Sequence, residues 1–260
     1  MKVLILPDTT AATSRAADIL CETLATTPEA TLGLATGGTM LPLYATLSER
    51  YRSGQVSFAR ATTFNLDEYV GIGPDHPCSF HRYMVEAFFD RTDIDPRNAH
   101  LPRGDTQNPD TEAARYEARI ADAGGIDLQL LGIGRNGHIG FNEPTSSLGS
   151  RTRTKTLTES TRDANRSCFD RDEDVPRFAI TMGIATILDA RACLMLATGP
   201  AKAEAVAAMI EGPVSAYCPA SALQLHPKIT VVLDKAAASR LRLTDYYHHV
   251  HPNGHDRVLA

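Results

Sequence analysis

Residues 31–52 read Thr31-Leu32-Gly33-Leu34-Ala35-Thr36-Gly37-Gly38-Thr39-Met40-Leu41-Pro42-Leu43-Tyr44-Ala45-Thr46-Leu47-Ser48-Glu49-Arg50-Tyr51-Arg52. A short apolar run at 31–35 ends in a glycine pair flanked by hydroxyls, and a segment of helical periodicity follows at 41–52, which is the strand, loop and helix of an α/β unit. The alternation recurs along the chain. Further apolar runs lie at 3–6, 61–66, 126–133, 192–197 and 229–233, with 178–181 a weaker one, and further helical segments lie at 10–25, 80–89, 111–123 and 201–210. This predicts an α/β fold: a three-layer, Rossmann-like, doubly wound and mostly parallel sheet of six or seven strands, with helices on both faces. A chain of 260 residues fits one such domain, spanning 1–260.

The formal net charge of −5 supplies no global basic field. Nucleic acid and anionic membranes are therefore not expected partners, and a small molecule held by local groups is. Cys21, Cys78, Cys168, Cys193 and Cys218 are odd in number, widely spaced and without a Cys-x-x-Cys pair, so they read as reduced thiols with neither disulfide nor zinc. The apolar run within Met1-Lys2-Val3-Leu4-Ile5-Leu6-Pro7 is too short for a signal peptide, and no later stretch approaches a membrane span. A cytoplasmic protein is the expectation.

Ligands of open α/β sheets bind at the carboxyl ends of the strands. Thr36, Gly37, Gly38 and Thr39 stand at such an end, where glycine lets the backbone approach an anion and a helix N-terminus favours negative charge. By itself the segment fits a phosphate cradle or a tight turn with a Thr N-cap equally well. It lacks the Gly-x-x-x-x-Gly-Lys-Ser/Thr spacing of a Walker loop. In Phe64-Asn65-Leu66-Asp67-Glu68-Tyr69 adjacent carboxylates follow the third strand. Asp67 is a candidate base for taking a proton beside a carbonyl, and a solvated cap is the plainer reading.

The stretch Leu131-Gly132-Ile133-Gly134-Arg135-Asn136-Gly137-His138-Ile139-Gly140-Phe141-Asn142-Glu143-Pro144 contains Gly-x-Gly-x-x-Gly after a strand, the text of a dinucleotide site. Gly140 and Asn142-Glu143-Pro144 interrupt the helix that such a site requires, so the glycines read instead as shaping an active-site loop. A folded loop could bring Glu143 to His138, where a carboxylate would orient a proton-moving imidazole. Basic residues gather at Arg151, Arg153 and Lys155, one side of an extended segment, with Arg162 and Arg166 following. They form a second phosphate pocket or a solvated loop. Lys202, at the start of a helix after a strand, could aim a cation over the sheet edge or face water.

Taken together, the Thr-Gly-Gly-Thr loop, Asn65-Leu66-Asp67-Glu68-Tyr69-Val70-Gly71, Gly137-His138-Ile139-Gly140-Phe141-Asn142-Glu143-Pro144 and Leu223-Gln224-Leu225-His226-Pro227 resemble the glucosamine-6-phosphate deaminase family over nearly the whole chain. The resemblance implies conversion of glucosamine 6-phosphate and water to fructose 6-phosphate and ammonia. It makes Asp67 the base that carries a proton from C2 to C1, and Asn136, His138 and Glu143 the ring-opening group. Thr36 to Thr39 and Lys202 would bind the phosphate, with Arg166 a further contact. The family's phosphate-contacting arginine aligns with Ser167 rather than Arg166, and Asn136 stands where some members carry aspartate. No metal or other cofactor is implied, because the substrate brings its own carbonyl and amine. Hexameric members are activated by N-acetylglucosamine 6-phosphate at an intersubunit site, whose motif this chain matches at Ser146, Ser147, Arg153, Lys155 and Thr156. A homo-oligomer, with a hexamer as one form, follows from the resemblance.

Two other classes fit less well. A 6-phosphogluconolactonase-like hydrolase would share the fold and a Gly-His loop, but the Asn142-Glu143-Pro144 and Asp67-Glu68-Tyr69 segments look like the deaminase. A non-catalytic sugar-phosphate sensor would normally carry a helix-turn-helix, whereas here the first strand is expected at about Val3. Ammonia release separates the three readings.

Overall fold

The computed structural model describes residues 1–169 and 174–255. Its strands are β1 (Lys2–Leu6), β2 (Thr31–Leu34), β3 (Thr62–Asn65), β4 (Asp67–Tyr69), β5 (Ala99–His100), β6 (Leu128–Leu131), β7 (Arg153–Thr156), β8 (Phe178–Thr181), β9 (Cys193–Ala197) and β10 (Ile229–Asp234). The helices are α1 (Thr9–Thr26), α2 (Met40–Arg52), α3 (Phe80–Ala87), α4 (Pro109–Asp122), α5 (Glu159–Asn165), α6 (Ile184–Leu188), α7 (Ala203–Glu211) and α8 (Thr244–Val250). Several of the helices begin where a side chain relieves the unpaired amides of the first turn. Asp8 accepts from the amide of Ala11 at 2.8 Å, Ser79 from that of Arg82 at 3.0 Å and Asn108 from that of Thr111 at 3.0 Å.

Seven strands form the main sheet in the order β1-β10-β9-β6-β2-β3-β5. Every pair in it is parallel. The chain moves outward from β1 through β2 and β3 to β5, then reverses and fills in with β6, β9 and β10. Right-handed crossovers in opposite directions put their helices on opposite faces, so α1, α2 and α3 cover one side while α4 and α7 cover the other. Contacts of α1 with α2 and of α2 with α3 accord with this. The reversal makes β2 and β6 neighbours whose following loops diverge, the crevice in which such sheets bind ligands.

The weaker expected strand, residues 178–181, exists but lies elsewhere. It is β8, the centre of a separate antiparallel sheet β4-β8-β7, and the seventh parallel strand is the short β5 instead. The two cannot be told apart by pattern, since β8 is buried on three of its four residues. The small sheet covers its own apolar cluster, including Tyr69, Ile72, Phe141, Leu157, Phe169 and Val175, beside the main core.

The cysteine expectation needs correction. Cys78 and Cys168 form a disulfide with their Cα atoms 5.5 Å apart, across a separation of 90 residues. Chain folding brings together two cysteines that spacing alone kept apart. Cys21, Cys193 and Cys218 are free thiols. Among the described residues no helix is long and apolar enough to cross a membrane.

Candidate active site

Above the β2/β6 crevice lies a cavity of about 830 Å³. Thr36, Gly37, Gly38 and Thr39 line it from the end of β2, Asp67 from the start of β4 just past β3, Arg135, Asn136 and His138 from the loop after β6, and Lys202 from the turn before α7. Of the expected site residues these therefore share one chamber, and Glu143 stands directly behind Asn136 and His138.

The loop after β2 is held by two phenols. Tyr44 donates to the carbonyl of Ala35 at 2.6 Å and Tyr83 to that of Gly37 at 2.8 Å. Thr39 occupies the N-cap position of α2 without a side-chain capping bond, so the capping reading of that residue is not what the hydroxyl does. A Cβ on Gly37 or Gly38 would meet nothing within 4 Å, which leaves both glycines facing open space.

Asp67 is not a solvated cap, being only 6% exposed. Burial raises its pKa to about 8, the neighbouring Glu68 carboxylate adds to the rise and a hydrogen bond with the Thr181 hydroxyl opposes it. The strand pairing of β4 with β8 sets Asp67 opposite Thr181. Glu68 points the other way, as successive strand residues must. It accepts from the amides of Tyr69, Phe80 and His81 at 2.9, 3.0 and 2.9 Å, the last two from the first turn of α3. Burial nevertheless dominates and lifts Glu68 to about 7.

Glu143 is the opposite case. Burial would raise its pKa, but the His138 ring, the Thr161 hydroxyl and the Asn136 amide together hold it down at about 2. The Asn136 amide donates to Glu143 Oε2 at 2.7 Å, Thr161 donates to Oε1, and His138 Nδ1 lies 3.5 Å from Oε2. The Asn136 side chain meets His138 at the main chain, where its Oδ1 accepts the backbone amide of His138 at 3.2 Å. It thus orients the histidine through the main chain and the carboxylate through the side chain.

Two glycines explain why the dinucleotide-like text builds this loop. The His138 ring lies against the α-carbon of Gly134 so closely that a Cβ there would overlap it. Gly140 has φ of +55°, and a Cβ on it would stand 2.9 Å from Thr181 Oγ1 and 3.2 Å from Asp67 Oδ2. Bulk at either place would displace the imidazole or the buried carboxylate.

Lys202 ends the one-turn helix Pro200–Lys202 rather than opening α7, and it is partly buried. Its Nζ donates to the carbonyl of Ile133 at 2.7 Å. Arg166 is exposed on the turn Arg166–Cys168 and is not among the residues lining the cavity. Two residues before β7, Arg151 is committed to Glu117 and Asp189, which removes it from any second phosphate pocket. Arg153 is half-buried, with its pKa lowered by burial, and Lys155 lies two residues along the same edge. Ser146 is 2% exposed, its Oγ without a hydrogen-bond partner among the described residues, while Ser147 and Thr156 are exposed.

Residues missed in the sequence also line the chamber: Arg135, Thr161, Phe80 and Phe141. Arg135 was legible as a cation two residues past the apolar run 126–133. Thr161 was not, because a long connection separates it from Glu143 and only folding joins them.

Comparison with known proteins places the chain in a family. Residues 8–232 match the family model described as glucosamine-6-phosphate isomerases/6-phosphogluconolactonase. A glucosamine-6-phosphate deaminase from Hahella chejuensis is 54% identical over 247 residues, 95% of this chain and 94% of the relative. The solved structure of a monomeric glucosamine-6-phosphate deaminase superposes with a TM-score of 0.89 at 45% identity, over 92% of this chain and 100% of that one. A 6-phosphogluconolactonase from Trypanosoma cruzi superposes with a TM-score of 0.75 over 93% of this chain and 97% of that one, but at 20% identity it shares the fold alone.

Proposed function

The chain belongs to the family of glucosamine-6-phosphate isomerases and 6-phosphogluconolactonases, and on that premise we infer that it is a glucosamine-6-phosphate deaminase. It converts D-glucosamine 6-phosphate and water to D-fructose 6-phosphate and ammonia. The observation that carries this reading is the placing of Asp67 and His138 on one cavity with the Gly37-Gly38 loop, at the reversal point of the sheet.

The phosphate lies against Thr36 to Thr39 with Lys202 as counter-ion. His138, oriented by Asn136 and Glu143, moves the protons that open the pyranose ring. The open-chain aldehyde acidifies the proton on C2, which Asp67 removes and returns to C1 through an enolamine. The resulting imine at C2 adds water and expels ammonia, so nitrogen leaves as carbonyl oxygen arrives. Only ionised Asp67 can accept the proton, and its raised pKa makes it a stronger base than an exposed carboxylate would be. Glu143, ionised throughout, stabilises charge on the imidazole without competing for the proton.

A coupled assay of ammonia and fructose 6-phosphate with purified protein tests the reading, with glucosamine 6-phosphate as substrate. Release of acid from 6-phosphogluconolactone without ammonia from the amino sugar would assign it to the hydrolase instead. Hexose phosphates are retained inside cells by their charge, which supports a cytoplasmic site of action.

Ser146, Ser147, Arg153, Lys155 and Thr156 form the candidate activator site for N-acetylglucosamine 6-phosphate. Arg153 and Lys155 have no ion-pair partner among the described residues, which favours an anion there. Such a site would be completed by a second subunit in a homo-oligomer. Sigmoid initial-rate curves made hyperbolic by the acetylated sugar phosphate, with a hexamer in sedimentation, support it. A monomer with flat response, in keeping with the monomeric relative, removes it.

A further inference from the structure

Arg135 stands on the loop from β6 to His138 and lines the cavity beside Lys202. Some exposed arginines are ion-paired, such as Arg103 with Asp105 and Arg191 with Asp127, while others, such as Arg119 and Arg177, have no carboxylate partner among the described residues; what sets Arg135 apart is its place on the cavity wall. Among the described residues Arg135 has no carboxylate partner. The cavity also holds Lys202, another cation, whose Nζ donates to the Ile133 carbonyl at 2.7 Å. Burial and the Arg135 charge both disfavour the protonated lysine. Two cations on one cavity wall repel one another, and an anion bound between them relieves that repulsion. The cavity offers such an anion a further wall of glycine backbone at Gly37 and Gly38.

We propose that Arg135 is a substrate-binding residue which, with Lys202, clamps the phosphate end of the substrate against the Gly37-Gly38 loop. The proposal rests on the deaminase reading for the identity of that substrate. A planar guanidinium offers paired N–H donors that suit a phosphate, while Lys202 supplies a point charge. Arg135 is joined to His138 through Asn136 and Gly137, so the anchored phosphate also fixes the loop that carries the imidazole. Arg166, outside the cavity wall, is not needed for this contact. The clamp makes the enzyme selective for phosphorylated over free amino sugar.

Steady-state kinetics of Arg135→Gln and Arg135→Lys, with inorganic phosphate as competitive inhibitor, test this. Losing a charged hydrogen-bond donor should raise KM for glucosamine 6-phosphate about 10- to 100-fold, with a far smaller fall in kcat. The inhibition constant of inorganic phosphate should weaken in parallel, Arg135→Lys should recover part of both, and turnover of unphosphorylated glucosamine should change little. Unaltered KM and phosphate inhibition in Arg135→Gln would overturn the clamp. If the wild-type protein released no ammonia yet bound inorganic phosphate through Arg135, the deaminase reading would fall and the clamp would stand. Ammonia release by the wild type with an indifferent Arg135→Gln would remove the clamp and leave the deaminase reading in place.

Discussion

Asp67 and Glu143 are both buried carboxylates, yet one sits at about 8 and the other at about 2. The difference lies in donors. Glu143 receives Asn136, Thr161 and the His138 ring, whereas Asp67 has chiefly the Thr181 hydroxyl and faces the charge of Glu68. Environments that push two acids apart are how one site separates a proton acceptor from a charge stabiliser. Asp67→Asn should lower kcat by about a thousandfold, the general-base contribution, and a fully active variant would exclude Asp67 as the base. The same variant should unfold at higher denaturant. Asp67 titrates near 3.8 when unfolded and near 8 when folded, so the native state holds its proton more tightly. Stability from this group is complete below pH 4 and is lost as pH rises towards 8. The gain in Asp67→Asn is therefore expected at pH 8 and not at pH 4, and amounts to a few kcal/mol. Asn136→Asp would replace a donor 2.7 Å from Glu143 Oε2 by a second carboxylate. A second carboxylate beside the His138 loop favours the cationic form of the imidazole, which should move the acidic limb of kcat slightly upward and leave the wild type active to lower pH. Superimposable pH–rate curves would contradict it.

At the scale of elements, the site depends on segments that carry little secondary structure. The turn before α3 and the turn Arg166–Cys168 are tied by Cys78 and Cys168, and each adjoins a wall of the cavity, Phe80 on one side and Thr161 on the other. Phe169 packs on Tyr69 with ring centroids 5.8 Å apart and on His76 at 5.7 Å. A cross-link over 90 residues restricts the unfolded chain, and its loss in Cys78→Ser should cost about 2–4 kcal/mol in equilibrium denaturation under oxidising conditions. Equal stability of wild type and variant, with no linked peptide in a non-reducing digest, would show both thiols free. The loop after β6 makes the complementary point. Gly140→Ala puts a Cβ into Asp67 and Thr181 at positive φ, so activity should fall by at least about tenfold, beyond what any loss of folded protein explains, when kcat is corrected for folded fraction.

The whole molecule joins two apolar clusters, and the proposed active site lies at their junction. Leu66 of the main core immediately precedes β4, its carbonyl accepts from the amide of Met182 at 2.7 Å, and the Asn142 amide donates to the carbonyls of Ile139 and Met182 at 2.9 and 2.8 Å. The small sheet is thus bonded to the main one along the edge that carries Asp67. We expect one cooperative unit, with far-ultraviolet and near-ultraviolet circular dichroism losing signal at the same temperature; separate midpoints would divide the chain into two folding units.

Local pattern determined what depends on near neighbours. Alternating apolar runs and helical periodicity settled the α/β class and the placing of β1, β2, β3, β6, β9 and β10, because buried parallel strands need continuous apolar residues. Glycine-rich text at a strand end located the loop where Asn136 and His138 stand, and adjacent carboxylates after the third strand located Asp67. Tertiary structure alone decided that β8 left the main sheet for a second one, since burial looks the same in either. It alone paired Cys78 with Cys168, brought Thr161 to Glu143 and set Arg135 and Lys202 on one cavity. Contacts between residues far apart along the chain arise only when the sheet order is chosen, and the charge, protonation and exposure of each group follow from the neighbours it then acquires.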